Sequence, residues 1–200
     1  RSLTLSKTDY ILFHEHYDVE DYEELDGCWF YTATGLFDTY IDKYKEIKMT
    51  SKGAIRELAK LFLNNLYGKL GANDCSSFKI AYLRDDNSLG YKTIEAYEKK
   101  VGYIPIGSAI TSYARNFTIR TAQKNYHPNG HGFIYADTDS IHCDLPIEQI
   151  KDAPLHASEF CHWKHESTWD KAIFVRQKTY IEHITAEGVD PCKPYFNIKI

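Results

Sequence analysis

Two hundred residues with 43% hydrophobic and 14% aromatic content can bury one sizeable core or two small ones. A formal charge of −4 argues against a globally basic nucleic-acid binder, so any polyanion-binding surface must be local, and neither a membrane-spanning apolar run nor a signal-peptide pattern is present. Five cysteines (Cys28, Cys75, Cys143, Cys161 and Cys192) are odd in number, scattered and without a CxxC pair, which points to a reducing compartment and a cytoplasmic protein.

Between Lys7 and Lys43 there is no Lys or Arg but ten Asp and Glu; over residues 9–33 the acidic residues alternate with short aromatic runs that predict short strands and turns, with Gly27 as a break. Leu36, Phe37, Tyr40, Ile41, Tyr44 and Ile47 have helical spacing over 35–47. Thr50-Ser51 offers an N-cap for a second helix over 52–69, with Ile55, Leu58, Ala59, Phe62 and Leu66 as its apolar stripe. Residues 76–104 predict a β-hairpin: Phe78, Ile80 and Tyr82 alternate, 84–88 turn, and Gly90-Tyr91 begin the return. Pro105 and Gly107 punctuate, and a third helix follows over 108–126. An apolar run ending in Tyr135 leads into Asp137-Thr138-Asp139-Ser140 and a second short run. Residues 158–169 fit neither period, and 172–185 alternate as one strand, with Phe174, Arg176, Lys178, Tyr180 and Glu182 on one face. The chain starts without Met and ends in a strand-like run, Tyr195–Ile200, so it is expected to be part of something longer.

Two constellations carry chemistry. Residues two apart in an extended chain share a face, so Asp137 and Asp139 can aim at one place with Thr138 turned away. Two converging carboxylates repel unless a cation lies between them; Mg²⁺ suits such oxygens, and paired Mg²⁺ ions drive in-line phosphoryl chemistry. Lys52, Arg56, Lys60, Asn64 and Tyr67 follow at steps of four, four, four and three, one stripe along a helix. Stacked cations at this spacing disfavour the helix by a few tenths of a kcal/mol per pair, about what a bound polyanion would offset. Salt screens charges beyond ~8–10 Å, so such a helix can hold phosphates while an acidic stretch faces elsewhere.

Lys60-Leu-Phe-Leu-Asn64-Asn65-Leu-Tyr67-Gly68 resembles the fingers-helix motif of family B DNA polymerases, Tyr135-Ala-Asp137-Thr-Asp139-Ser140 resembles their palm motif, and Lys178-Thr-Tyr180 their K-x-Y, in the family's order. The hairpin between fingers and palm resembles the second terminal-protein region of the protein-primed branch found in phages and linear plasmids. The resemblance implies an α+β fold, part of a right-hand polymerase: 1–48 as the end of a first terminal-protein region, 49–71 as the fingers helix, 72–106 as the hairpin insertion and 107–200 as an antiparallel palm without its thumb. It implies DNA-templated addition of dNTPs to a primer 3′-hydroxyl, with a terminal priming protein as a further partner and no membrane. Asp139 and Asp137 would be catalytic metal ligands for two Mg²⁺ ions. Lys60, Arg56 and Lys52 would hold the triphosphate, Asn64, Tyr67 and Gly68 would shape the nucleotide pocket, and Lys178 and Tyr180 would hold the primer terminus. Asn65 departs from the family's usual Ser, and no D-x2-S-L-Y-P motif occurs between Arg1 and Ile200. The second metal-binding carboxylate is therefore expected from outside this stretch; the alternative is a non-catalytic DNA- or protein-binding remnant. His156, Cys161, His162 and His165 cluster without the spacing of a standard zinc site.

Overall fold

A computed structural model describes residues 2–72, 77–95 and 102–200. Among the described residues, four α-helices and seven strands make an α+β arrangement that divides into two compact units, one ending at Ser112 and one running from Tyr113 to Ile200.

The first unit opens with helix α1 (Lys7–His16), where the sequence predicted strands and turns. Ser6 decides the difference: its side chain accepts the Asp9 N–H at 3.1 Å and caps the helix, while Asp9 supplies a favourable carboxylate in the first turn. The aromatic residues that looked like strand runs stack along and beyond this helix, Phe13 on Tyr17 and His14 near Tyr22. No described residue of 17–33 is in a strand, so the predicted strands there are absent.

Helices α2 (Asp38–Thr50) and α3 (Ala54–Leu70) form a hairpin across Ser51–Gly53. Tyr40 Oη donates to the Phe62 carbonyl at 2.9 Å, and the Tyr44 and Phe62 rings stack at 4.8 Å. One expectation is corrected here. Thr50 is not an N-cap; it is the last residue of α2, and its hydroxyl donates back to the Glu46 carbonyl. The apolar stripe of α3 buries only Ala59, at 2% exposure, while Ile55, Leu58 and Phe62 remain substantially exposed.

Strands β1 (Ser77–Leu83) and β2 (Leu89–Glu95) pair antiparallel in the predicted hairpin, closed by hydrogen bonds between Arg84 and Ser88. Residues 76 and 96–101 of the predicted hairpin lie outside the described residues. The chain returns beside the point it left: Gly102 N–H donates to the Ala72 carbonyl, and a Cβ on Gly102 would overlap the last carbonyls of α3. Gly107 also packs tightly on Gly71, where a Cβ would come within 3.2 Å of its nitrogen. Gly107 and Pro105 therefore do not break a helix. They sit inside the first turns of α4 (Ile104–Lys124), where proline lacks only a donor the helix does not use and glycine permits close approach.

The second unit holds the rest of α4, the hairpin β3 (Phe133–Asp137) and β4 (Ser140–Cys143), and a three-stranded antiparallel sheet β5 (Ser167–Arg176), β6 (Thr179–Glu187) and β7 (Asp190–Lys199). The single strand predicted over 172–185 is two strands joined by a turn at Gln177-Lys178, with Lys178 at φ +60°. Alternation survives on either side of a two-residue turn, which is why the pattern read as continuous. The expected palm sheet is divided, because β3–β4 and β5–β6–β7 share no ladder. Ile184 and Ala186 on the central strand β6 are buried, while Asn125 joins α4 to the Lys151 backbone through bonds of 2.8 and 2.9 Å.

Candidate active site

Asp137 closes β3, Ser140 opens β4, and Thr138-Asp139 form the turn between them. The extended geometry expected for the two carboxylates is replaced by a tighter one. Thr138 has φ +56°, and Asp139 N–H donates to the Asp137 carbonyl at 2.6 Å, the i to i+2 bond of a γ-turn. A β-branched residue is a genuine outlier at positive φ, and such geometry persists only where neighbours hold it. Three contacts do so: Thr118 on α4 donates to the Thr138 carbonyl at 3.1 Å, Ser140 Oγ donates to the Asp137 carbonyl at 3.1 Å, and Thr138 Oγ1 donates to Asp137 Oδ1 at 3.1 Å. The consequence is two acidic side chains on one tight turn, Asp137 partly covered and Asp139 exposed.

Lys178 reaches this turn from the β5–β6 hairpin. Its Nζ lies 2.7 and 2.9 Å from the two Asp137 carboxylate oxygens, and its backbone N–H donates to Tyr135 Oη at 2.8 Å. The hydrogen bond from the Lys178 ammonium, aided by the Thr138 hydroxyl, holds the Asp137 carboxyl below its ordinary value; the same bond raises Lys178. Lys178 therefore does not share a strand face with Tyr180, as the sequence suggested; it occupies the turn, and Tyr180 lies on β6. Tyr180 is nonetheless near, its ring 5.5 Å from that of Tyr135, and burial followed by the charge of Glu182 pushes its phenol up.

The other predicted residues belong to the first unit. Arg56, Lys60, Asn64, Tyr67 and Gly68 all lie on α3 and are exposed, with Arg56 3.8 Å from Glu57. Lys52 does not join their stripe, because α3 begins at Ala54 and Lys52 belongs to the inter-helix link.

Three residues that sequence reasoning passed over form one polar link across β4, β6 and β7. His142 on β4 contacts Glu182 on β6, and Asn197 on β7 contacts the other Glu182 oxygen. The available signal was Glu182 itself, a charged residue predicted on a face with Phe174 and Tyr180. The histidine cluster, by contrast, is built for turns. His156 Nδ1 accepts the N–H groups of Ser158 and Glu159, which puts its proton on Nε2, and His162 Nδ1 faces the Phe160 carbonyl. Among the described residues no group of three or more His, Cys, Asp or Glu is arranged to hold a metal ion. No described helix is long and apolar enough to cross a membrane.

Residues 4–154 match the family described as DNA polymerase type B, organellar and viral. The chain belongs to this family. It is 44% identical over 191 residues to the DNA polymerase of Bacillus phage phi29, and 39% identical over 186 residues to that of Streptococcus phage Cp-1. These alignments cover 94% and 92% of this chain but 32% of each relative, so the chain spans about a third of the length of the curated relatives it matches. The structure of phi29 DNA polymerase complexed with primer-template DNA and incoming nucleotide substrates aligns with a TM-score of 0.82 at 40% identity, over 96% of this chain and 35% of that one. The likeness makes this a partial polymerase fold. It reaches past the 4–154 match into the β5–β6–β7 sheet, since only eight residues' worth of the chain goes uncovered (4% of 200).

Proposed function

We propose that this chain is the fingers, insertion and palm portion of a DNA polymerase that adds dNTPs to a primer 3′-hydroxyl in protein-primed replication of viral or plasmid DNA. The observation that carries the reading is the Asp137-Thr138-Asp139 turn with Lys178 on Asp137, in a chain 44% identical to a phage DNA polymerase. Primer-template DNA and dNTP are the proposed ligands, in line with the complexes of the phi29 enzyme, and a terminal protein is the proposed primer.

In the proposed reaction the primer hydroxyl attacks the α-phosphate, the bond to pyrophosphate breaks, and positioning with charge neutralisation supplies the rate. Asp137 and Asp139 offer hard carboxylate oxygens of the kind Mg²⁺ prefers, and Asp137 already carries a cation, the Lys178 ammonium, on both oxygens. Two bound Mg²⁺ ions would polarise the phosphate and activate the hydroxyl; Asp139 and Asp137 would hold them together with a carboxylate from outside this stretch. Lys60 and Arg56 would contact the triphosphate, with Lys52 entering from the link before α3. Asn64 and Tyr67 would line the nascent base pair beside Gly68, which lacks a side chain to obstruct it. Lys178 and Tyr180 would hold the primer terminus through its backbone, without reading sequence.

The test is primer extension with Mg²⁺ by the full-length protein that carries this chain, beside Asp139→Ala. The variant is expected to lose at least about a hundredfold in rate, the equivalent of about 2.7 kcal/mol of charge stabilisation. Undiminished synthesis by the variant would sink the metal-ligand role, and an inactive wild type would favour a binding remnant. Protein priming is read separately, as transfer of labelled dNMP to a hydroxyl of a protein primer.

A further inference from the structure

Within the unit from Tyr113 to Ile200, the strand pair that carries the carboxylates and the sheet that carries Lys178 share no backbone ladder. Side chains must hold one against the other. Tyr135 and His142 from the hairpin and Phe174 and Tyr180 from the sheet pack ring against ring, every pair of centroids 5.1–5.5 Å apart. Ring packing of this kind tolerates sliding, whereas a hydrogen bond fixes direction as well as distance.

One polar link runs through the rings. His142 Nδ1 lies 2.7 Å from Glu182 Oε1, and Asn197 Nδ2 donates to Glu182 Oε2 at 3.0 Å. Glu182 is 3% exposed. Burial pushes its carboxyl up, but the hydrogen bonds from His142 and Asn197, with attraction from His142 and Lys199, outweigh burial and hold it below its ordinary value. An ionised carboxylate only accepts, so Nδ1 carries the proton and donates. His142 Nε2, on the far side of the ring, is buried without a hydrogen-bond partner. A buried charge and an unsatisfied ring nitrogen are costly features that an apolar pair of similar shape would avoid.

The link closes a circuit. Lys178 N–H donates to Tyr135 Oη, Tyr135 lies opposite His142 in the β3–β4 register, His142 donates to Glu182, and Glu182 follows Lys178 by four residues on β6. We infer that Glu182, acting through His142, is a positioning residue of the candidate site: it fixes the β3–β4 hairpin against β6 so that the Lys178 turn closes on Asp137. The activity arm of this inference rests on the polymerase reading; the structural arm does not.

The experiment uses the full-length protein and two readouts. Amide hydrogen exchange over 176–180 reports the Lys178 N–H, and single-nucleotide addition reports kcat and the KM for dNTP. Glu182→Gln sets a donor amide against that of Asn197 or withdraws the acceptor from His142; His142→Phe keeps a ring in the cluster and removes the Nδ1 donor. Both are expected to speed exchange at Lys178 about tenfold while amides paired between β6 and β7 keep their rates. Both should lower kcat about tenfold with the KM for dNTP within about twofold, since misplacement affects the chemical step more than nucleotide binding. Glu182→Gln/Asn197→Asp restores a donor facing an acceptor and should recover both readouts. Wild-type exchange at Lys178 in both single variants, or no recovery in the double variant, would overturn the inference. A wild type without extension activity would instead defeat the polymerase reading, leaving the exchange measurements to decide this one.

Discussion

Thr138, between the two carboxylates at φ +56°, offers a test whose sign is set by backbone geometry. In the left-handed region Cβ crowds the following carbonyl, at roughly 1–2 kcal/mol for a residue with a side chain. At ordinary positions Ala is favoured over Gly by about 0.5–1 kcal/mol, because Gly loses more chain freedom on folding. Thr138→Ala and Thr138→Gly both lose the hydroxyl bond to Asp137, and both keep the bond from Thr118, which goes to the backbone carbonyl. Only the Gly variant is relieved of Cβ. Setting the steric cost against the entropy of Gly leaves the Gly variant the more stable of the two by roughly 0.5–1 kcal/mol, the reverse of the usual order. Urea denaturation of the two variants, compared by midpoint at a common slope, measures the difference. An Ala variant as stable as the Gly variant, or more so, would refute the argument that the turn is strained. In primer extension the Gly variant should nevertheless be the slower enzyme, because a freed turn no longer fixes Asp139 against Asp137; full activity would show that the constraint plays no part in placing them.

Replacing Lys178 by Met should let the Asp137 carboxyl rise toward its ordinary value, since the Lys178 hydrogen bond is the chief cause of its depression. A carboxylate with a depressed folded-state value stabilises the fold above the unfolded value of about 3.9, and that contribution fades as pH falls through the folded value, so the wild type should lose stability more steeply than the variant in acid below about pH 4. A carboxyl-carbon NMR titration checks this, and an unchanged Asp137 midpoint would count against the ion pair. Lys60→Ala should raise the KM for dNTP about tenfold or more, the value of one charge-assisted hydrogen bond, and an unchanged KM would remove Lys60 from the triphosphate. Replacing 77–95, the β1–β2 hairpin, with a short Gly-Ser link should shorten extension products while sparing single additions, if the hairpin helps hold DNA through successive additions; products of wild-type length would refute that role.

Much of this protein is legible without coordinates because the information is local. The α3 stripe from Arg56 through Lys60 and Asn64 to Tyr67 follows from helical period alone, and the β1–β2 hairpin follows from alternation flanking a polar turn. The three motifs that resemble family B polymerases are contiguous, which is why the family match could be anticipated from them. The errors were also local in origin. Aromatic spacing near Asp9 resembles that of strands, but the Ser6 cap favours a helix there, and Lys52 falls outside the stripe because α3 starts at Ala54, after Gly53 rather than after Thr50-Ser51.

The sequence by itself determined which residues carry charge, which helix presents cations and that two carboxylates lie two residues apart, since these depend on residue type, spacing and the helical period of 3.6. Tertiary structure decided the rest. Thr118 and Ser140 select the positive φ of Thr138, the turn at Gln177-Lys178 brings an ammonium across 41 residues onto Asp137, and Glu182 meets His142 across 40. Such contacts lie beyond the reach of periodicity because their energies depend on where separate strands come to rest, and that is fixed by burial and packing of the whole unit rather than by any one segment.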